Sequence, residues 1–273
     1  MSTGFLPHTL LICQFELKRL FATKKGLLYL TTFVLVWYFI LFYPIRFSSE
    51  LLGQEKGVVP GGSILDFIGY GSLLKWQVPE LGVYWQFALI IFPLLTVMSS
   101  ADQTCSDRER GTLRFLSLRV SRDSLFFGRF AGVMLIHILL IALSLLSTIL
   151  FALYRDANLF AVVFDEATAI MLNLIMVLLP FGAMMAALSA TVKSARQATV
   201  WAILIWSFMA GLISLLAAYM PILEVLKILI PGYQVSALSQ LAAWQTLQLA
   251  YIPLLQAMVL LGVGSWIMRR QLL

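Results

Sequence analysis

The run DQTCSDRERGTLRFLSLRVSRDSLFFGR, Asp102 to Arg129, is a long, charge-dense interruption in a chain that is otherwise mostly apolar. Long apolar runs lie on both sides of it, so we expect it at a membrane surface. Within it, Leu113, Leu116 and Val120 recur at i, i+3 and i+7, which predicts a short amphipathic helix with one apolar stripe. Such a helix between two membrane spans is typical of a surface that is offered to a soluble partner.

Composition indicates an integral membrane protein. Hydrophobic residues make up 61% of the 273 residues and charged residues only 12%, whereas about 25% of residues are charged in an average soluble protein. The net charge of +6 would suggest nucleic acid in a soluble chain. In a membrane protein the positions of the basic residues instead indicate which segments lie on the cytoplasmic side, and no nucleic-acid partner is expected.

Six apolar runs are each close to the ~20 residues that cross about 30 Å of hydrocarbon. They predict an all-α membrane protein, a single transmembrane domain over residues 1–273, with spans near 27–44, 82–100, 130–154, 167–191, 199–220 and 246–268. Pro93, Pro180 and Pro253 lie inside three of these runs. Each proline lacks a backbone donor, so we expect local kinks or breaks there.

The distribution of Lys and Arg sets the predicted topology. Fourteen of the 19 basic residues lie in the N-terminal region, in residues 102–129, between spans four and five, and at the C-terminus. The positive-inside rule then puts both termini and residues 102–129 in the cytoplasm. Cys13 and Cys105 fall on that side too, so no disulfide is expected.

Residues 8–25 predict an N-terminal interfacial helix, with basic residues directed toward the lipid headgroups. Its proposed apolar face consists of Leu10, Cys13, Leu17, Leu20 and Phe21. The alternative is an ordinary cytoplasmic lead-in to the first span. No small-residue cleavage site follows a short apolar core, so this region does not have the pattern of a signal peptide.

The segments on the other side of the membrane are less regular. Residues 45–81 form a long loop with a Gly/Pro cluster, and its part from Ile64 to Trp76 is expected along the outer interface. Residues 221–244 are too apolar for a free loop and are broken at Pro231-Gly232. They predict a broken helical pair before span six that dips into the outer leaflet, shielded by protein.

The stretch from Glu109 to Arg129 resembles the type-2 ABC exporter permeases. In that family a Glu-x-Gly-Thr-Leu element between the second and third of six spans begins a cytoplasmic coupling helix, and here it reads Glu109-Arg110-Gly111-Thr112-Leu113. The Ser-Arg and Gly-Arg pairs that follow in the family are here Ser121-Arg122 and Gly128-Arg129. The chain departs from the family at Arg119-Val120, where members often carry proline. The resemblance covers the architecture of the whole chain.

The resemblance implies a permease subunit of a bacterial ABC exporter in the inner membrane. Cytoplasmic ABC ATPase subunits would be its partners, together with a second copy of the chain or a related permease, and the surrounding lipids. ATP and Mg²⁺ would bind to the ATPase, and this chain would bind no cofactor. Residues 106–122 would transmit the movement of the ATPase subunits to the spans. The alternative is that they form a solvated basic loop. The candidate coupling residues are Arg108, Glu109, Arg110, Gly111, Thr112, Leu113, Leu116, Val120, Ser121 and Arg122.

Two further sets of residues are candidates for packing or for a pathway. Gly128 and Gly132 form a GxxxG motif at the base of span three, which suits close packing within the chain or between subunits. His137, Asn173 and Gln256 are polar residues inside spans. Such groups face the protein interior or a water path, and the helix–helix hydrogen-bonding alternative is favoured for His137.

Motifs for catalysis are absent from the sequence. It contains no G-x-x-x-x-G-K-[ST], no H-E-x-x-H and no G-x-S-x-G, so neither ATP hydrolysis nor metal-assisted or serine hydrolysis is expected on this chain. Two alternatives to a permease remain open. One is a non-transporting membrane anchor or mechanotransmitter that acts on an extracytoplasmic partner through residues 45–81. The other is a lipid-modifying membrane enzyme, for which the sequence offers few polar groups.

Overall fold

The computed structural model describes residues 5–46, 48 and 75–270, and within these ranges the chain is helical and contains no strand. Six helices are long and apolar enough to cross a membrane, which confirms the prediction of an all-α protein with six spans. Most of the outer loop predicted over residues 45–81 lies outside the described residues.

Ten α-helices occur in the described ranges. In chain order they are α1 (Phe5–Ala22), α2 (Lys24–Ile40), α3 (Pro79–Ser99), α4 (Cys105–Glu109), α5 (Thr112–Arg119), α6 (Arg122–Arg155), α7 (Phe160–Thr191), α8 (Ala195–Tyr219), α9 (Val235–Leu238) and α10 (Tyr251–Arg270). A π-helical turn, Leu41–Ile45, continues α2, and 3-10 turns occupy Ser100–Asp102, Ala157–Leu159, Pro221–Leu229 and Ala243–Leu249. The spans are therefore α2, α3, α6, α7, α8 and α10.

Two of the spanning helices are longer than their apolar runs. The helix α6 begins at Arg122 rather than near residue 130, and α7 begins at Phe160 rather than near residue 167. With 34 residues, α6 is about 50 Å long and exceeds the ~30 Å hydrocarbon core. Its charged first turn stays helical because Ser121 caps it: the side-chain oxygen accepts a hydrogen bond from the Ser124 N–H at 3.1 Å.

The prolines do not break the helices that contain them. Pro93 and Pro180 lie inside α3 and α7, which continue through them. The last span was expected from residue 246, but Ala243–Leu249 is a 3-10 turn and α10 begins at Tyr251. Pro253 therefore lies in the first turn of α10, where its missing N–H needs no partner. The expected breaks are therefore absent at these three residues, and the expected kinks stay a prediction.

The N-terminal helix α1 ends at Ala22, and Thr23 alone separates it from α2. Its packed side overlaps the predicted apolar face only in part. Leu17 and Leu20 pack against the core together with Ile12, and Glu16 is buried, whereas Leu10 and Phe21 are largely exposed. The placement of α1 on the membrane surface stays a prediction.

The segment between α8 and α10 enters the bundle as irregular backbone. Trp206, near the middle of α8, donates its indole N–H to the Pro231 carbonyl at 2.8 Å. The Gln256 amide donates to the carbonyls of Ile228 and Ile230 at 2.6 and 3.0 Å. These donors satisfy carbonyls that no helix satisfies, as backbone at membrane depth requires. The predicted broken pair is thus a set of 3-10 turns with the one-turn helix α9.

The same segment is also held from α3. Trp85 donates its indole N–H to the Leu238 carbonyl at 3.2 Å, and the Gln86 amide donates to the Ser239 carbonyl at 2.7 Å. Side chains of α3, α8 and α10 therefore all fix this irregular backbone.

The core lies around α7, which packs against α3, α6 and α10. By contrast, α2 and α8 bury few side chains within the described chain. The buried residues are Phe33, Trp37 and Ile40 in α2, and Ala198, Ala202 and Ile213 in α8. Most of the surface of these two spans therefore faces outward from the bundle.

One end of the bundle carries residues 100–129, the turn between α7 and α8, and the end of α10. Contacts bring these parts together: an Arg108 guanidinium nitrogen donates to the Ala190 carbonyl, and Arg122 donates to the Arg269 carbonyl. We call this the basic end. At the opposite end, Arg155 binds both carboxylate oxygens of the buried Glu80 at 2.6 and 3.2 Å, which ties the start of α3 to the end of α6.

Candidate functional site

The connection between α3 and α6 is folded into two short helices at the basic end. The predicted short helix is present as α5, and α4 precedes it. Between them Gly111 has a φ of +71°, in the left-handed region that favours glycine. This residue separates the two helices and is the N-cap of α5, which starts at Thr112.

Two apolar faces exist on α5, and they point in different directions. Leu113 is 1% exposed and Leu116 packs against the same core, so the predicted stripe faces the chain's own bundle. On the other side, Phe115 is 72% exposed and Leu118 is 83% exposed. Leu113 and Leu116 therefore seat the helix, and the Phe115–Leu118 face is exposed in the described chain.

The start of the segment is fixed to the end of α7. The Arg108 guanidinium donates to the carbonyls of Ala190 and Val192 at 2.5 and 3.3 Å. The hydroxyls of Thr104 and Ser189 lie 3.0 Å apart. Arginine donors at a helix C-terminus satisfy its orphan carbonyls and complement its dipole, so α4 and the end of α7 form one unit.

The end of the segment is fixed to α10. Asp123, in the first turn of α6, accepts hydrogen bonds from Arg269 Nε and Ser265 Oγ, each at 2.9 Å. Arg122 donates to the Arg269 carbonyl at 2.8 Å. Val120 is extended (φ −133°, ψ 141°), so the turn where family members often carry proline forms here without it.

The candidate coupling residues all fall in this one region, and they divide by exposure. Glu109, Arg110, Gly111 and Thr112 are exposed beside the start of α5, whereas Leu113 is buried. Phe115 and Leu118 were missed by the sequence interpretation. Their i, i+3 spacing is the signal in the sequence, but the pattern at Leu113, Leu116 and Val120 predicts a different apolar face.

The GxxxG motif packs within the chain. A Cβ on Gly128 would lie 2.9 Å from the Ile12 side chain, and one on Gly132 would lie 2.8 Å from the Glu16 side chain. Both glycines therefore let α1 approach α6 closely, which favours intrachain packing over subunit pairing.

The three polar residues inside spans are bonded to other parts of the bundle. His137 Nε2 lies 3.1 Å from Ser99 Oγ of α3. Asn173 donates to the Thr246 hydroxyl, and Gln256 holds the irregular backbone described above. All three are buried within the chain. This placement favours helix–helix hydrogen bonding over the lining of a pathway.

A groove of about 590 Å³ lies at the opposite end, near the start of α7. Its charged side chains already have protein partners. Trp244 donates to Asp165 at 3.0 Å, Glu166 accepts from the backbone N–H groups of Gln77 and Val78, and Lys75 donates to a backbone carbonyl. The basic end is therefore the stronger candidate for function.

A comparison with protein families decides what kind of protein this is. The family model described as ABC-2 family transporter protein matches residues 12–265, which include most of α1, the first five spans, most of the sixth and both short helices. The chain belongs to the ABC-2 transporter family. This ABC-2 protein is a multi-pass membrane component of a transporter, and its family implies an ABC ATPase subunit as partner. No curated protein matches the chain.

Proposed function

We propose that the chain is the membrane-spanning permease subunit of a bacterial ABC exporter, driven by ATPase subunits that dock on the Phe115–Leu118 face of α5. The direction of transport rests on the resemblance of Glu109–Leu113 and the pairs that follow to the exporter permeases. Both termini and the basic end are then cytoplasmic, and the protein lies in the inner membrane.

One observation carries the proposal: α5 presents two exposed apolar side chains while the residues on either side of it are bonded to three spans. Arg108 binds the end of α7, and Asp123 binds α10 from the start of α6. A force applied to α5 therefore reaches these spans through hydrogen bonds and ion pairs, with no long flexible loop between them. A helix that only satisfied topology would not need these attachments.

Chemistry and mechanics are divided between subunits in this proposal. The sequence has no G-x-x-x-x-G-K-[ST], so ATP and Mg²⁺ bind to the ATPase and hydrolysis occurs there. The permease binds no cofactor and responds to the closure of the ATPase dimer by alternating access or extrusion.

A second copy, or a related permease, completes the assembly. The sparse burial in α2 and α8 supports pairing through these spans, because large apolar surfaces on a folded protein mark contacts with lipid or with another protein. The cargo route then lies between the two permease subunits.

Co-purification tests the proposal. The affinity-tagged chain, extracted in mild detergent, is expected to bring down the ATPase encoded beside it, and the complex should hydrolyse ATP in lipid nanodiscs. A purified assembly with no nucleotide-hydrolysing subunit would contradict the proposal, as would labelling that places residues 106–122 outside the cell.

A further inference from the structure

A buried cluster of charges joins α1 to residues 106–122, which we call the coupling segment. The side chains of Arg129 and Glu16 are each 6% exposed, and Arg129 Nη1 donates to Glu16 Oε1 at 2.9 Å. Arg129 Nη2 is ion-paired with Asp107 of α4. One guanidinium on α6 therefore holds two carboxylates on two other helices, and its planar fork fixes their relative orientation.

The cluster continues to the first residue of α5. Thr112 Oγ1 donates to Asp107 Oδ1 at 3.2 Å. On the solvent side, Arg19 lies 3.4 Å from Glu16 and 3.6 Å from Asp102. A continuous set of polar contacts thus runs from the start of α5 through Asp107 and Arg129 to α1.

Packing on both sides of Arg129 seats α1 against α6. The Cβ positions of Gly128 and Gly132 would overlap with side chains of Ile12 and Glu16. Arg129 lies between these two glycines in the sequence, so its ion pairs form where the missing side chains let the two helices come into contact.

The helix α1 also leads directly into the first span. Thr23 accepts a hydrogen bond from the Gly26 N–H at 3.1 Å and caps α2. A Cβ on Gly26 would lie 2.0 Å from the Leu20 carbonyl oxygen, so the corner between the two helices is tight. A displacement of α1 therefore reaches α2, which buries few of its own residues within the described chain.

Stability alone does not account for this arrangement. Replacing a buried ion pair by apolar side chains of similar volume is often neutral or stabilising, whereas removing one partner leaves a buried charge. What the cluster adds over apolar packing is a fixed geometry between α1, α4 and α6.

We propose that Arg129 is a positioning residue that locks α1 to the coupling segment, so that a stroke on α5 carries α1 and the first span with it. The proposal rests on the proposed function, because it needs an ATPase docked on α5. Without the lock, α5 and α6 would move and α1 would be left behind.

Cys13 is a built-in reporter for this motion. It lies on α1 with its Cα near Gly132, and the other cysteine, Cys105, is fully buried. In the full complex with its ATPase, carrying Cys105→Ala and reconstituted in nanodiscs, N-ethylmaleimide alkylation of Cys13 is followed by peptide mass spectrometry. Rates are compared without nucleotide and with ATP plus vanadate.

The expected ratio of the two rates is near one in the Cys105→Ala background, because the lock holds α1 on α6 in both states. With Arg129→Met or Glu16→Gln added, the rate with ATP and vanadate should exceed the nucleotide-free rate by at least about fivefold. The ratio of rates is used instead of a single rate because the Glu16 charge also affects the thiol. Burial, and to a smaller extent the Glu16 carboxylate, raise the pKa of the Cys13 thiol. Removing that charge speeds alkylation in both states alike.

Arg155→Met is the matched control. It breaks the Glu80–Arg155 pair at the other end of the same helix, and its ratio should stay near one. A ratio near one in both lock variants would overturn the proposal, even where the rates rise equally in both nucleotide states, because an equal rise marks a structural role only. A rise in the control as large as in the variants would also overturn it.

The ATPase content of each preparation separates the two proposals. Absence of the ATPase from the unsubstituted complex would overturn the proposed function and the lock together. A bound, active ATPase with unchanged ratios overturns the lock alone. Loss of the ATPase in both lock variants would mean that the cluster shapes the docking surface, and this too would overturn the lock.

Discussion

Truncating the exposed face of α5 should separate binding of the ATPase from folding of the permease. Phe115 and Leu118 are 72% and 83% exposed, so almost all of their apolar surface is available to a partner. Burying such a side chain contributes about 2 kcal/mol. The double variant Phe115→Ala/Leu118→Ala should therefore lose about 4 kcal/mol of binding free energy, or about 10³-fold in Kd.

The assay is a titration of the nanodisc-embedded chain with purified ATPase by biolayer interferometry. The melting temperature of the double variant should change little, since exposed substitutions usually shift stability by about 0.5 kcal/mol or less. An unchanged Kd would refute the assignment of this face as the docking surface.

Two single variants serve as controls for this titration. Leu113→Ala removes a side chain of the same helix that is 1% exposed, so it should destabilise the fold by about 2–5 kcal/mol. Tyr154→Ala removes a side chain that is 93% exposed at the far end of α6, and it should leave both stability and Kd unchanged. A loss of binding in Tyr154→Ala would mean that the assay reports general exposure of apolar surface.

Three further substitutions test the backbone. Ala243 has a φ of +46°, so Ala243→Gly should raise stability by about 1 kcal/mol, measured as melting temperature; a fall would contradict the strain. Gln256→Leu removes the Gln256 donor from the Ile228 carbonyl, while the Ile230 carbonyl keeps the Tyr233 N–H, and should cost about 1–2 kcal/mol in the same assay; an unchanged melting temperature would show that these bonds contribute nothing. Gly26→Ala places a Cβ against a backbone oxygen and should speed Cys13 alkylation in every nucleotide state by opening the corner; an unchanged rate would contradict it.

The spans could be predicted because hydropathy is a local property of the sequence. The ends of the spans could not be predicted at positions where charged residues continue a helix. Arg122 and Asp123 are charged, so hydropathy does not assign them to a span. They nevertheless form the first turn of α6, because Ser121 caps it and Arg269 pairs with Asp123. That partner is distant in sequence, so no window of residues reveals it.

The position of the candidate site was predictable, but its faces were not. The spacing of Leu113 and Leu116 correctly predicted a helix, since helical spacing is local. Val120, the third residue of the predicted stripe, lies in extended backbone just after α5. Phe115 and Leu118 show a similar spacing, and only the tertiary packing of Leu113 decides which face is covered. The Glu16–Arg129 pair joins residues 113 positions apart, and neither the N-terminal pattern nor the GxxxG motif indicates it.

Photo-crosslinking from α5 tests most directly the claim that the ATPase docks on this helix. With p-benzoyl-phenylalanine in place of Leu118, irradiation of the intact complex in membranes should give a covalent adduct between the chain and the ATPase subunit, identified by mass spectrometry. The same substitution at Tyr154 should give none. Adducts at residue 118 with lipid or extracellular proteins only, in membranes that contain the ATPase, would contradict the account.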